Sequence, residues 1–448
     1  MPPLVPDKQR QFAVEVVRRL RAAGFEAYWA GGCVRDQLLG RAPKDYDVAT
    51  AATPPQIREL FGHRQTLAIG AAFGVITVKG PRGAGTIEVA TFREDSTYSD
   101  GRHPDSVTFS SAQADASRRD FTINGVFYDP LENRVIDFVG GQEDLHRGVL
   151  RAIGRPRERF AEDKLRMLRA VRFAASFDFA LDPETLAAAC QMADEITVVS
   201  PERIAAEMRR LLVESGRATG VRLLLATGLA AVVLPEIVPA DDDQRHRLDH
   251  TLEILDRLGK TGTGSEHSRV EPAATGGGEV PVPVLPDAAT PPSFPLALAT
   301  LLHEATDAAG VVAVGRRWRL SNDERERAAW LVEHCRALHG ARAMRWSALQ
   351  PLLIAPDIEE LLSLVEAIAP GSDDVVFCRE MLRQPPESLD PPPLVTGDDL
   401  LRLGVPTGPQ YAVLLQRIRD AQLDAEIHTR DEALALVGRL AWQDNYRQ

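Results

Sequence analysis

The stretch AYWAGGCVRDQLLGRAPKDYDVAT, from Ala27 to Thr50, predicts a strand, a glycine turn, a short helix, a loop and a second strand. Its first four residues are apolar or aromatic, as in a buried strand. Gly31 and Gly32 follow where the backbone must turn tightly. The amphipathic helix after them stops at Gly40, a residue typical of a helix C-terminus. This alternation of strand and helix indicates an α/β domain.

The second strand of this stretch is predicted to begin with two aspartates, Asp45 and Asp47. Residues i and i+2 of a strand point to the same face, so the two Cα atoms would be about 7 Å apart. Two carboxylates at that distance repel each other unless a cation lies between them. Mg²⁺ prefers oxygen ligands and commonly uses one or two carboxylates together with phosphate oxygens and water. The pair therefore predicts a magnesium site.

The glycine turn predicts the other half of such a site. Free backbone N–H groups at a helix start suit a phosphate, which makes Gly31 and Gly32 candidate nucleotide ligands. Arg35, on the first turn of the helix, is a candidate for a bidentate phosphate contact. The alternative is a solvated Asp-x-Asp turn beside a structural glycine pair, but the combination favours a metal–triphosphate site.

The pattern GGCVRD followed by DYD resembles the head motif of the polymerase-β nucleotidyltransferase superfamily. It is most similar to the class II tRNA nucleotidyltransferases, the CCA-adding enzymes, and to bacterial poly(A) polymerases. The resemblance is strong over about residues 25–215 and looser beyond. It implies that Asp45 and Asp47 hold two Mg²⁺ ions, which would activate an RNA 3′-hydroxyl and stabilise the leaving pyrophosphate.

Two further head residues are candidates. Glu88 interrupts a β-branched run, where a charge is costly without a partner, although an outward-facing position on a half-exposed strand explains it equally well. The family has a glutamate at the matching place, which makes Glu88 the candidate third carboxylate. Arg118 and Arg119 lie at a predicted helix start, where arginines suit a triphosphate. The family motif RRDFTxN implies triphosphate contact for Arg119.

The most basic segment of the chain is Arg147 to Arg172, which contains nine basic and three acidic residues. Within it ERFAEDKLRMLRAVRFAASF predicts a helix. Four charged residues recur there every three positions and form a slow spiral around the helix. The ordinary interpretation is a salt-bridged solvent face. The four are Asp163, Arg166, Arg169 and Arg172.

The same residues also fit a chemical requirement. Cytosine and adenine each present an amino donor beside a ring-nitrogen acceptor, whereas uracil and guanine present the reverse. A carboxylate beside a guanidinium would therefore select CTP and ATP without a template, at about 1–3 kcal/mol for a good pair. The resemblance of EDKLRMLR to the family motif E-D-x-x-R implies base recognition by Asp163 and Arg166. It implies weaker nucleotide contact for Arg169 and Arg172.

Composition limits the class of protein. The chain has 448 residues and a net charge of −12, which argues mildly against a protein that coats nucleic acid. Its four cysteines are scattered without a C-x-x-C pair, so we expect no disulfide framework or zinc site and a reducing, cytoplasmic setting. The sequence contains no recognisable signal peptide and no apolar run long enough to span a membrane.

Two segments lack hydrophobic periodicity and are predicted to be irregular: a mobile loop at 93–106 and a disordered insertion at 259–293. On either side of the insertion, His250 and His303-Glu304 resemble a decayed HD phosphohydrolase motif. Glutamate replaces the expected aspartate, so we do not expect a hydrolytic metal site. The tail region resembles that of bacterial family members, in which body and tail hold the tRNA.

The sequence therefore predicts an α/β polymerase-β-like nucleotidyltransferase head at 1–146, followed by an all-α neck at 147–235 and an all-α body and tail at 236–448. The predicted reaction is template-independent addition of CCA, or part of it, to tRNA 3′ ends from CTP and ATP. Poly(A) polymerase, a CC-only or A-only enzyme, a non-catalytic RNA-binding protein and an HD-type hydrolase are the alternatives. The oligomeric state is left open.

Overall fold

The computed structural model describes residues 6–95, 107–258, 291–405, 407–408 and 410–445. Two compact units divide the chain at residues 240 and 241. The first contains Met1–Ala240 and Arg317–Arg319, and the second contains Asp241–Thr261, Pro292–Arg316 and Leu320–Gln448. The predicted head and neck therefore share one unit. The predicted insertion lies outside the described residues apart from residues 291–293.

The strands belong to the first unit and follow the alternating pattern of the sequence. They are β1 Ala27–Ala30, β2 Asp47–Thr50, β3 Thr66–Leu67, β4 Val75–Lys79, β5 Thr86–Thr91, β6 Arg93–Asp95, β7 Val107–Phe109, β8 Val126–Asp129, β9 Arg134–Asp137, β10 Val149–Leu150 and β11 Ala180–Leu181. The prediction of an irregular loop from residue 93 is wrong at its start, because Arg93–Asp95 pairs with Val107–Phe109. The rest of that loop, residues 96–106, lies outside the described residues.

Seven of the described strands form one mixed sheet in the order β3-β4-β5-β2-β1-β8-β9. β1 is antiparallel to both of its neighbours, while β2 and β5 run parallel. Parallel neighbours need a crossover, and the chain between β2 and β5 contains one helix and the hairpin of β3 and β4. This crossover places the first residue of β2, Asp47, beside the third residue of β5, Glu88.

Both faces of the sheet are covered by apolar side chains. One face packs against helix α1, whose buried residues Ala13, Val16, Val17 and Leu20 have the spacing of a helical stripe. The opposite face carries a smaller aromatic cluster that includes Tyr28, Phe92 and Phe127. Burial on both sides makes the sheet a rigid base for the residues at its open end.

The helices of the first unit surround the sheet and then form the neck. They are α1 Pro6–Ala22, α2 Gly32–Leu38, α3 Pro54–Phe61, α4 Ala112–Ser117, α5 Gly141–Arg147, α6 Pro156–Glu162, α7 Leu165–Phe177, α8 Pro183–Met192, α9 Pro201–Val213, α10 Arg217–Ala226 and α11 Leu229–Val233. The prediction of a single helix across Asp163 is wrong, because the helix is interrupted there between α6 and α7. Asp163 has extended backbone angles and its carboxylate accepts from the Leu165 N–H.

The chain beyond residue 240 is helical in its described parts. Its helices are α12 Asp242–Arg257, α13 Phe294–Leu302, α14 Ala308–Arg317, α15 Asn322–His334, α16 Trp346–Leu353, α17 Ile358–Ile368, α18 Asp373–Met381, α19 Pro386–Leu389, α20 Gly397–Arg402, α21 Gln410–Leu423 and α22 Arg430–Asn445. An α/β head followed by a largely helical chain confirms the predicted fold class, but the neck is not all-α as predicted, because the short strands β10 and β11 pair within it. The predicted boundary between neck and body, at 235 and 236, stays a prediction.

Candidate active site

The head carboxylates lie where β2 and β5 begin. Asp47 and Glu88 are register partners on these parallel strands. Both side chains are exposed, whereas the residues that follow them, Val48 and Val89, are buried in the core. Alternation along a strand therefore puts the two carboxylates on one face of the sheet, side by side. Glu88, the candidate third carboxylate, therefore lies on the strand next to Asp47.

Asp45 lies near them but not as predicted. The strand begins at Asp47, and Asp45 occupies a bend just before it, so the argument from strand alternation is wrong for this pair. The charges nevertheless interact. The pKa of Asp47 is raised to about 6, first by desolvation and then by the charges of Asp45 and Glu88, while Arg119 lowers it. The Asp47 side chain is exposed to solvent on one side, but the protein atoms around it are close enough to desolvate the carboxylate and raise its pKa.

These three carboxylates, which we call the carboxylate site, suit a hard cation. Within the described part of the chain, none of them forms an ion pair with a basic side chain within 4 Å. Crowded carboxylates without a cationic partner favour binding a metal ion. No three Asp, Glu, His or Cys side chains of the described residues enclose a metal by themselves. The remaining ligands would come from substrate phosphate and water, as Mg²⁺ sites commonly use.

The glycine turn lies against arginine side chains. Gly31 has a φ of 73°, which favours glycine, and a Cβ atom there would lie 3.1 Å from Arg119 Nη1. A Cβ atom on Gly32 would lie 3.6 Å from Arg35 Nη2. Gly31 thus lets the backbone approach the Arg119 guanidinium closely, whereas a Cβ atom on Gly32 would make only an ordinary contact with Arg35. Their predicted contact with the nucleotide stays a prediction.

Arg35 is held by protein groups. Its Nη1 donates to Asn124 Oδ1 at 2.8 Å, and its Nε and Nη2 donate to Asp36 Oδ1. The guanidinium carbon lies 4.5 Å from the ring centre of Phe177. These contacts occupy three of its five N–H groups. The bidentate phosphate contact predicted for Arg35 is untested, and the structure shows instead what orients the side chain.

Arg119 follows a helix instead of starting one. Helix α4 ends at Ser117, so the prediction of a helix start at Arg118 and Arg119 is wrong. Both arginines pair with the buried carboxylate of Asp115. Burial opposes ionisation of Asp115, but the two guanidinium charges outweigh it and lower its pKa. Arg119 is thereby fixed between the glycine turn and the carboxylate site, where its charge is felt by Asp47.

The two residues predicted to read the base do not pair with each other. Asp163 accepts from Arg203 Nη2 at 2.7 Å through Oδ2 and from the Leu165 N–H through Oδ1. Arg166 donates to the Arg159 carbonyl at 3.0 Å and forms a salt bridge with Glu162. An acceptor and a donor one helical turn apart are thus each fixed by other groups. We call Asp163 and Arg166 the clamped couple.

The next two arginines of helix α7 point to other carboxylates. Arg169 donates to Asp120 Oδ2 through Nη2 at 2.7 Å and through Nε at 3.0 Å. Arg172 donates to Glu207 at 2.6 Å and is only 6% exposed. Nucleotide contact by either residue stays a prediction. Their observed contacts join helix α7 to the head and to helix α9.

Sequence reasoning missed the partners in this network. Glu162 lies four residues before Arg166, so helical spacing could have identified it. Arg203 and Glu207 lie far along the chain from Asp163 and Arg172, and no local pattern links them. Asp120 is part of the RRDFTIN motif, but its partner Arg169 is 49 residues away. Only tertiary packing brings the three long-range pairs together.

The HD-like residues of the second unit are occupied by ordinary contacts. The ring of His303 shares a hydrogen bond of 2.7 Å with the Thr300 carbonyl, and burial lowers its pKa. Glu304 pairs with Arg336 at 2.9 Å, and His250 is exposed. His303 and Glu304 thus each have a protein partner.

Comparison with known proteins follows the same division of the chain. Residues 27–151 match the family model "Poly A polymerase head domain", and residues 178–240 match "Probable RNA and SrmB- binding site of polymerase A". Both stretches are thus similar to this polymerase family, which agrees with the resemblance predicted for the head and neck.

Curated relatives match the same half of the chain. A CCA-adding enzyme of Limosilactobacillus reuteri is 42% identical over 215 residues, 48% of this chain and 52% of that protein. One of Geobacillus kaustophilus is 43% identical over 220 residues, 49% of this chain and 53% of that protein. Poly(A) polymerase I of Salmonella typhi is 43% identical over 215 residues, 45% of this chain and 44% of that protein. The chain spans about half the length of the curated relatives it matches.

Solved structures extend the similarity in fold. The CCA-adding enzyme of Bacillus stearothermophilus in complex with CTP has a TM-score of 0.73 and 27% identity, covering 98% of this chain and 99% of that chain. The Thermotoga maritima CCA-adding enzyme complexed with tRNA has a TM-score of 0.62 at 20% identity, covering 95% and 94%, and shows the fold alone. In the described residues, no helix has both the length and the apolar character needed to cross a membrane.

Proposed function

We propose that this protein is a template-independent tRNA nucleotidyltransferase that adds CCA, or part of it, to tRNA 3′ ends from CTP and ATP. Support comes from its family and from its similarity to a CCA-adding enzyme in complex with CTP. The observation that carries the proposal is the clamped couple. The carboxylate of Asp163 and the guanidinium of Arg166, three residues apart, do not pair with each other, and each is held by separate partners.

This arrangement is what selection by protein side chains requires. The Asp163 carboxylate would accept from the exocyclic amino group of cytosine or adenine. The Arg166 guanidinium would donate to the adjacent ring nitrogen. Uracil and guanine would place a carbonyl before Asp163 and an N–H before Arg166, which leaves polar groups unpaired at a further cost. Because both side chains are held in place, little ordering is needed when the nucleotide binds.

The carboxylate site would hold two Mg²⁺ ions, with Asp45 and Asp47 as ligands and Glu88 assisting. A divalent cation at such a site acts as a Lewis acid toward the transferring phosphoryl group. The protein residues contribute placement and charge. Arg119 adds positive charge beside the glycine turn, and the buried sheet keeps Asp47 and Glu88 at a fixed separation.

Poly(A) polymerase is the second candidate, because a relative of that name is as similar as the CCA-adding enzymes. Both activities need the carboxylate site. They differ in whether CTP is used and in whether addition stops after three nucleotides. An enzyme limited to CC or to A would share the same residues.

One experiment separates these candidates. Purified protein is incubated with Mg²⁺ and tRNA ending at the discriminator base, with each nucleoside triphosphate alone and with all four, and the 3′ ends are sequenced. We expect addition of CCA or a part of it, with UTP and GTP excluded. Long A tracts on unstructured RNA would establish the poly(A) polymerase instead. Absence of any addition, with the fold intact, would reject both candidates.

A further inference from the structure

A continuous set of hydrogen bonds connects helix α2 of the head to helix α7 of the neck. Arg35 donates to Asn124 Oδ1 at 2.8 Å, and Asn124 Nδ2 donates to Asp120 Oδ1 at 3.0 Å. Asp120 in turn accepts two bonds from Arg169. We call Arg35, Asn124, Asp120 and Arg169 the linking network. It begins beside the glycine turn and ends one turn beyond Arg166 of the clamped couple.

The side chain in the middle of the network must both accept and donate a hydrogen bond. Arg35 has only donors to offer, and the Asp120 carboxylate has only acceptors. A group that bridges them must accept on one side and donate on the other, which an amide does within one short side chain. Aspartate could accept from Arg35 but would repel Asp120. This explains why asparagine occupies position 124 without any reference to a bound ligand.

The surroundings make these bonds strong. Asn124 is 8% exposed, and the side chains of Arg35 and Asp120 are each 11% exposed. Both guanidinium groups also lie over Phe173, at 5.4 Å for Arg35 and 5.2 Å for Arg169. Charged hydrogen bonds shielded from water are stronger and more directional than exposed ones. A shift of one helix relative to the other would break several of them at once.

We propose that Asn124 and Asp120 are positioning residues that set the register between the triphosphate end and the base end of the nucleotide site. This rests on the proposed function. The glycine turn and the clamped couple are on different elements, and a nucleotide must meet both at once. The linking network fixes their separation, so its loss misaligns the α-phosphate while base contacts persist. Misplacement by about 1 Å can cost about 10²-fold in rate.

A double-mutant cycle tests the connection. Arg35→Lys and Arg169→Lys keep the charge but lose the planar fork of donors. Arg35 donates to Asn124 and Arg169 to Asp120, so independent residues would give multiplicative losses of kcat for CTP addition. We expect the loss of kcat in the double variant to differ by at least about threefold from the product of the two single losses. In an Asn124→Ala background, the double loss should agree with that product within about 1.5-fold. Arg157→Lys, the same change at an exposed position on helix α6, is the matched control and should combine multiplicatively with either variant.

Asn124→Asp tests the amide requirement. It retains an acceptor for Arg35 and sets a second carboxylate against Asp120. We expect kcat to fall about tenfold or more with the KM for CTP changed less than about threefold, because base contacts remain. Asn124→Gln, which keeps both amide functions, should recover part of the rate. Gln142→Glu makes the same charge change at an exposed head position and should leave kcat unchanged.

The outcomes separate this inference from the proposed function. If the parent protein adds nucleotides but the two arginine variants combine multiplicatively, the linking network has no positioning role and the function stands. If Asn124→Asp lowers thermal stability without changing kcat at a temperature where it is folded, the network is structural only, and the inference is wrong. If the parent protein adds no nucleotide, the proposed function fails. The Arg35→Lys and Arg169→Lys cycle is then measured by the free energy of unfolding. Additive losses in the double variant would show that the two arginines are not coupled and would also overturn the inference.

Discussion

The carboxylate site of the head and the charged residues of the neck differ in how their charges are balanced. In the head, Asp47 and Glu88 stand side by side on parallel strands, and neither forms an ion pair with a basic side chain within 4 Å in the described part of the chain. In the neck, carboxylates and guanidinium groups are held by one another at 2.6–2.7 Å, as for Arg172 with Glu207 and Arg203 with Asp163. Unbalanced charge suits a site that recruits a cation, whereas balanced charge suits one that holds its shape.

The largest effect should come from removing charge at the unbalanced site. Asp47→Asn and, separately, Asp45→Ala should lower the rate of nucleotide addition by about 10³-fold, because ligands for the cation are lost. Both residues are exposed, so folding should be retained. Single-turnover extension across a magnesium titration measures this. Glu59→Ala, an exposed site on helix α3, is the control, and rates near the parent value in both variants would remove the pair from the metal site.

The balanced region should respond in stability. Arg172→Met leaves Glu207 buried with its closest partner removed, and we expect a loss of about 3 kcal/mol in the free energy of unfolding. Urea denaturation provides the measurement. Arg155 pairs with Glu158 at an exposed position, so Arg155→Met should cost less than about 0.5 kcal/mol. Equal losses in the two variants would contradict the distinction drawn between the two regions.

The clamped couple belongs to the balanced region but should act on choice of substrate. Asp163→Ala should lower discrimination between CTP and UTP by about 10- to 100-fold, because the acceptor for the amino group is lost. Addition from saturating CTP should slow less than that. Competition assays with sequenced products measure the ratio, with the exposed Asp194→Ala as control. Unchanged fidelity in Asp163→Ala would remove its assigned role.

A milder change at the partner of Asp163 should have a smaller effect of the same kind. Arg203→Lys keeps the charge but alters the geometry that holds Asp163 Oδ2. We expect discrimination to fall by about three- to tenfold, less than in Asp163→Ala. The same competition assay applies, and Arg222→Lys at an exposed neck position should match the parent protein. A larger loss than in Asp163→Ala would mean that Arg203 itself contacts the nucleotide.

The smallest predicted effect is a change in how the stability of the folded state depends on pH at acidic values. Burial alone would raise the pKa of Asp120, but the Arg169 charge and the hydrogen bonds from Asn124, Arg169 and the Phe121 N–H lower it below 3.8. Its ionised form therefore stabilises the folded state above pH 3.8, and that contribution is lost as pH falls through the lowered pKa. Stability of Asp120→Asn should change less with pH below about 4 than that of the parent protein. Equal slopes in urea denaturation series would show that Asp120 does not titrate in this way.

Local patterns determined much of the head. Strand alternation and glycine positions predicted β1, β2 and the turn between them, because these features depend on neighbours along the chain. The same patterns failed at Asp163, where a side-chain cap interrupts a sequence of good helix formers, and at Arg119, where the helix lies before the arginines. Short-range propensity also does not register that Arg203, 40 residues away, holds the Asp163 carboxylate.

The sequence by itself determined the family resemblance, the α/β head and the residue types of the site, because motif spacing and hydrophobic alternation are properties of the chain. Only the tertiary structure decided which charges pair. It placed Glu88 beside Asp47 and paired Arg203 with Asp163. It also brought Asn124 into hydrogen bonds with Arg35 and Asp120. The physical reason is that a carboxylate or guanidinium accepts many partners, and packing of distant elements selects the one within reach.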